Sequence, residues 1–77
     1  MHGSPNIIAK HLANFSTTDV YEILKDMGYI AKDVIGWRLT DLGRANGGRM
    51  SRSNHPTPTF EIDKIIDQMI EFYKKNH

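Results

Sequence analysis

Apolar residues along the chain fall into two helical stripes, with a stretch between them where they alternate or thin out. In "STTDVYEILKDMGYI", Val20, Ile23, Leu24 and Met27 recur at i, i+3, i+4 and i+7, which predicts an amphipathic helix. Ser16 with Asp19 three residues on is a capping-box variant, the acid being shorter than the usual glutamate. Gly28 is placed to end this helix in a left-handed turn. Upstream, "NIIAKHLANF" sets Ile7, Ile8, Leu12 and Phe15 near one face of an earlier helix, with Pro5 at its entry, where a missing backbone donor does no harm.

The clearest stripe is the last one. In "IDKIIDQMIEFYKKNH", Ile62, Ile65, Ile66, Met69, Ile70 and Tyr73 share a face, with Phe72 beside it. Acids lie towards its start and Lys74 and Lys75 at its end, the favourable sense for the helix dipole. Between the stripes, "GWRLT" and "TPTFEI" alternate as short strands do. Thr40 is a candidate cap for a short helix, "DLGRAN", which stops at Gly47-Gly48. "RMSRSNHPTP" has no period and is rich in turn formers, so it reads as an exposed loop. The order predicts an α+β domain like a winged helix: three main helices, a short helix interrupting the wing, and a small two-stranded antiparallel sheet joined through a basic loop.

Length narrows this picture to one small domain. At 77 residues the folded chain buries about 60–65% of its unfolded surface, so each apolar side chain counts. With no cysteine, neither disulfides nor thiolate–zinc sites can staple it. Residues 1–4, "MHGS", are expected to be a tag or disordered N-terminus, and residues 5–77 the domain. No apolar run reaches the roughly 20 residues of a membrane span, and no signal peptide is visible; a cytoplasmic location is expected.

Charge changes the picture more. The net charge is only +1, yet its distribution is uneven. Residues 1–35 carry three lysines against four acids, and residues 60–77 do the same. Residues 36–59 carry Arg38, Arg44, Arg49 and Arg52 against Asp41 alone, a local +3. Guanidinium groups can grip two phosphate oxygens at once, and adjacent glycines let backbone amides approach an anion. The same residues also suit a loop that is merely well solvated.

A helix ending in "LKDMGYI", then a strand with an aromatic, then "LTDLG", resembles the winged-helix DNA-binding domains. Leu39, Thr40 and Gly43 match the "Leu-Thr-x-x-Gly" element that commonly opens the helix after the strand in that superfamily. The order is also similar to the small C-terminal domains of phage antirepressor-type proteins. The resemblance covers roughly residues 7 to 50. It implies a DNA-binding accessory or regulatory module of phage or mobile-element type, acting in transcription regulation. Under it, Arg38, Arg44, Arg49 and Arg52 would touch phosphates, and Thr17, Thr18 and Lys25 would lie on a groove-facing helix. Asp19, Glu22 and Asp26 on that helix oppose the second part, since DNA carries about one charge per 1.7 Å.

Other chemistries find little in the residues. His2, His11, His55 and His77 are scattered without metal-ligand spacing, so no metal is expected. "GRANGGRMS" lacks the terminal Gly-Lys-Ser/Thr of a phosphate-binding loop, and Ser51 and Ser53 near His55 have no orienting acid. No enzyme activity, cofactor or small-molecule substrate is expected. Trp37 can be a base-stacking platform or a core anchor, and the core role is the default for a lone Trp in a short strand. The alternative function is a protein-interaction or dimerisation domain, a homodimer or part of a larger nuclease or restriction-type protein. The last helix has an apolar stripe wide enough to leave Phe72 or Tyr73 for such a contact.

Overall fold

The second helix forms because its start, face and stop agree. In the computed structural model, which describes residues 1–34 and 36–76, Ser16 Oγ accepts from the Asp19 amide at 3.2 Å. The Asp19 carboxylate in turn accepts from the Ser16 amide at 3.0 Å. Ser16→Ala is therefore expected to cost about 1 kcal/mol, a drop of about 4–8 °C in melting temperature by circular dichroism. The helix runs Thr17–Asp26 (α2) and buries Val20 and Leu24. Gly28, at φ +82°, turns the chain out of it.

Around α2 the other elements follow in chain order: β1 His2–Gly3, α1 Pro5–His11, β2 Ile30–Lys32, β3 Trp37–Leu39, α3 Asp41–Ala45, β4 Arg49–Met50, β5 Pro58–Glu61 and α4 Ile62–Asn76. Pro5 is the first buried residue of α1 and not a flanking one, and the helix stops at His11, short of Phe15. The described residues form an α+β domain of four helices measuring 33 × 21 × 20 Å. Its core is Ile8, Leu12, Val20, Leu24, Ile30, Leu39, Phe60, Ile65 and Met69, drawn from both early helices, three strands and α4.

The sheet differs from the sequence expectation. "GWRLT" and "TPTFEI" do form strands, but they do not pair with one another. β3 pairs antiparallel with β2, Ile30 opposite Leu39, and Asp33 and Gly36 exchange two backbone hydrogen bonds at the turn. β5 lies between β1 and β4 in a separate antiparallel sheet. The expected two-stranded wing is thus corrected to two sheets. Pairing within a hairpin closes a shorter loop than joining β3 to β5 across the short helix would.

The first four residues, expected outside the domain, also belong to this fold. His2 sits opposite Glu61 and Gly3 opposite Phe60, while the Ile62 amide donates to the Met1 carbonyl at 2.9 Å. Gly3 is buried; a Cβ there would meet Ile62 Cδ1 at 2.8 Å. The Met1 ammonium donates to Glu61 Oε1 at 2.6 Å, and this bond holds the Glu61 carboxyl below its ordinary range, with partial desolvation opposing.

Candidate nucleic-acid interface

The site is set by strand register. Along β5, Pro58 and Phe60 are buried while Thr59 and Glu61 face outward. Side chains paired across a sheet share a face, so Arg49, opposite Thr59, and His2, opposite Glu61, point outward as well. Arg49 then reaches His2: its terminal guanidinium nitrogen is 2.9 Å from His2 Nδ1, and its Nε is 3.3 Å from Nε2. His2 Nε2 also lies 3.0 Å from the Gly47 carbonyl oxygen, which ties the strand to the turn after α3.

That turn delivers the second arginine. Thr40 caps α3, its hydroxyl accepting from the Gly43 amide at 3.0 Å and donating to the Gly28 carbonyl at 2.6 Å. Arg44 is exposed in the last turn of this short helix. Gly47, at φ +91°, and buried Gly48 return the chain towards β4. Their amides are committed inside the fold, Gly47 to the Arg44 carbonyl at 3.1 Å and Gly48 to that of Gly43 at 2.9 Å. The expectation that this pair offers amides to an anion is corrected.

Arg52 supplies the third charge from the loop between β4 and β5. The loop is closed at its base by the Ser51 amide on the Thr57 carbonyl at 2.8 Å and the Thr57 amide on Ser51 Oγ at 2.9 Å. Residues 52–56 above that clasp are exposed. Arg44, Arg49 and Arg52 line one surface depression of about 490 Å³ with His2, Met50 and Thr59. No carboxylate is among the residues lining it, and among the described residues none of these three arginines forms an ion pair.

The other residues expected at a nucleic-acid contact lie elsewhere. Arg38 is exposed on β3, with Nε 3.8 Å from Asp33 Oδ2, and lines a different depression beside Trp37 and His55. Thr17 is half-buried and its hydroxyl donates to Asn6 Oδ1 at 3.2 Å. Thr18 is exposed, but on the same helix as exposed Asp19, Glu22 and Asp26. Lys25 is engaged by Glu22 at 2.9 Å, and that bond raises its pKa. The outward side of α2 is therefore acidic, and a helix of that sign is repelled by a phosphate groove.

Trp37 is half-buried and stacked on Tyr21, ring centroids 5.1 Å apart at 17°, with Lys32 Nζ 5.8 Å from the indole centroid. One face of the ring is thereby occupied from within. His77 lies outside the described residues; among those described, no three histidines or acids gather as a metal site, and no helix is long and apolar enough to cross a membrane.

Two members of the cluster, His2 and Thr59, carry no local signal for the site. The alternation of "TPTFE" indicates that Thr59 faces outward, but not which strands flank it. Compared with models of protein families, with curated proteins and with solved structures, the chain finds no match.

Proposed function

We propose that this chain is a DNA-binding accessory or regulatory module that holds the phosphate backbone on the face formed by Arg44, Arg49 and Arg52. The observation that carries the reading is their convergence, from a helix, a strand and a loop, on one depression without a carboxylate in its lining. Like charges gathered at one place attract anions, and guanidinium groups match phosphate oxygens in geometry. In this reading the module is winged-helix-related, with the β4–β5 hairpin and its 51–57 loop as the wing. The acidic α2 stays out of the groove, so the contact is with backbone and is insensitive to sequence.

The test is the fluorescence anisotropy of a labelled duplex of about 20 base pairs between roughly 50 and 200 mM salt. Three phosphate contacts correspond to a slope of about −2.7 in log K against log salt, at about −0.9 per contact. An affinity indifferent to salt would overturn the proposal.

A further inference from the structure

His2 is half-buried and is the one histidine among the residues lining the arginine depression. A carbonyl oxygen only accepts, so the Gly47 carbonyl at 3.0 Å assigns the proton of the neutral ring to Nε2 and leaves Nδ1 bare. One terminal nitrogen of Arg49 lies 2.9 Å from Nδ1 and 3.3 Å from Nε2. A nitrogen that close to both ring nitrogens sits over the ring and not along one lone pair. The guanidinium is therefore stacked on the imidazole, a contact its flat, weakly hydrated cation favours.

We propose that His2 positions Arg49 and releases it on protonation, so that the phosphate-binding face strengthens as the pH falls. The inference rests on the phosphate reading of this face and adds its regulation. A neutral imidazole accommodates the guanidinium, whereas an imidazolium at 2.9 Å repels it as a like charge. The new proton on Nδ1 has a destination, since Glu61 Oε2 is 3.7 Å away. The other oxygen of that carboxylate, Oε1, already accepts from the Met1 ammonium at 2.6 Å, so each oxygen then faces one cation. His2 turns to Glu61, and Arg49 moves off the ring into the depression.

The surrounding charges couple this step to an anion. Glu61 on β5 is the one carboxylate among the residues lining this depression or the neighbouring one that His2 also borders. The remaining charges there are cations: Arg44 from α3, Arg49 from β4, Arg52 from the loop and Lys64 from α4, with the Met1 ammonium beside Glu61. A phosphate brings negative charge among them, so its binding favours protonation of His2. By linkage, protonation of His2 favours the phosphate equally. His11 is bound to the Ile7 carbonyl and His55 lines the depression beside Trp37, so neither takes part.

The experiment has two arms. In the free protein, nuclear magnetic resonance follows the His2 ring protons and the Arg49 Nε–H between about pH 8 and 5, where histidine changes charge. The Arg49 signal is expected to shift with the His2 midpoint. It is expected to stay still in His2→Gln, which keeps an amide donor for the Gly47 carbonyl but takes up no proton. With the labelled duplex at about 50 mM salt, affinity should rise about three- to tenfold from about pH 7.5 to 5.5. The salt slope should steepen by up to about 0.9, the worth of one added contact. His2→Gln should bind alike at both pH values, and His2→Lys at the higher pH as tightly as wild type at the lower. His55→Gln should keep the wild-type response. An Arg49 signal that ignores the His2 titration overturns the inference, as does a pH response that His2→Gln retains. Salt-dependent binding of equal strength at both pH values overturns it too, yet leaves the phosphate face standing. No binding at either pH removes the phosphate reading, and the regulation with it.

Discussion

Replacing Arg44, Arg49 and Arg52 together by alanine is expected to lower duplex DNA affinity by about two to three orders of magnitude at 50 mM salt. Each lost phosphate contact is taken as about 1.4 kcal/mol, or tenfold, and the three lie on separate elements, so their effects add approximately. The salt slope should flatten with the affinity, by about 0.9 for each arginine removed, because each contact releases counterions. Arg38→Ala and Lys25→Ala serve as controls. Arg38 faces Asp33 at 3.8 Å and Lys25 faces Glu22 at 2.9 Å, both away from the depression. Their affinities should stay within about threefold of wild type, a change under 1 kcal/mol. Because all five side chains are exposed, folding should change by no more than about 0.5 kcal/mol per site. A triple variant that binds as wild type, or controls that lose as much as the cluster, would remove the assignment of the face.

Gly43→Ala should destabilise the fold by at least about 2 kcal/mol, although alanine gains about 1 kcal/mol over glycine inside an ordinary helix. The reason is position. A Cβ at Gly43 would press on the Tyr29 carbonyl oxygen, and it would stand 2.9 Å from Leu39 Cδ1. The carbonyl is backbone and cannot turn aside as a side chain can. It already accepts from the Thr40 amide at 3.0 Å, so moving it disturbs the junction of α2, β2 and α3. For a chain of this length total stability is about 4–12 kcal/mol, so the loss is a large share. The melting temperature should fall by about 8–16 °C in calorimetry or circular dichroism, taking 4–8 °C per kcal/mol. An unchanged or raised melting temperature would mean that the helix gain wins and the contact is soft. The prediction also gives the "LTDLG" element a local physical reason: threonine caps α3 and ties back to Gly28, and glycine lets the helix lie against the preceding chain.

Much of the secondary structure is legible because it depends on neighbours in the chain. The Ser16–Asp19 box, the Gly28 stop, the Thr40 cap and the α4 stripe each involve residues a few positions apart, where side-chain type and backbone geometry are directly coupled. Strand pairing is not legible in the same way. "GWRLT" has an alternating pattern whether its partner is β2 or β5, and nothing in "MHGS" indicates a strand. A two-residue strand carries too few side chains to have a period. β1 is held by backbone hydrogen bonds, by the fit of Gly3 against Ile62 and by the Met1–Glu61 pair, all across much of the length of the chain.

The candidate site divides along the same line. That the middle third is basic and wholly arginine follows from residue counts alone. The caps of α2 and α3, the Gly28 stop and the apolar face of α4 follow from the sequence too, because periodicity and capping are local, whereas the end of α1 at His11 does not. Only the tertiary structure decided which arginines share a face. Arg49 points outward beside His2 because β5 accepts strands on both edges, Arg44 joins it because the glycine turn folds α3 back, and Arg38 is carried away on a hairpin of its own. Direction in space depends on register between distant segments, and register is fixed by burial of Phe60 and its neighbours, which no local pattern contains.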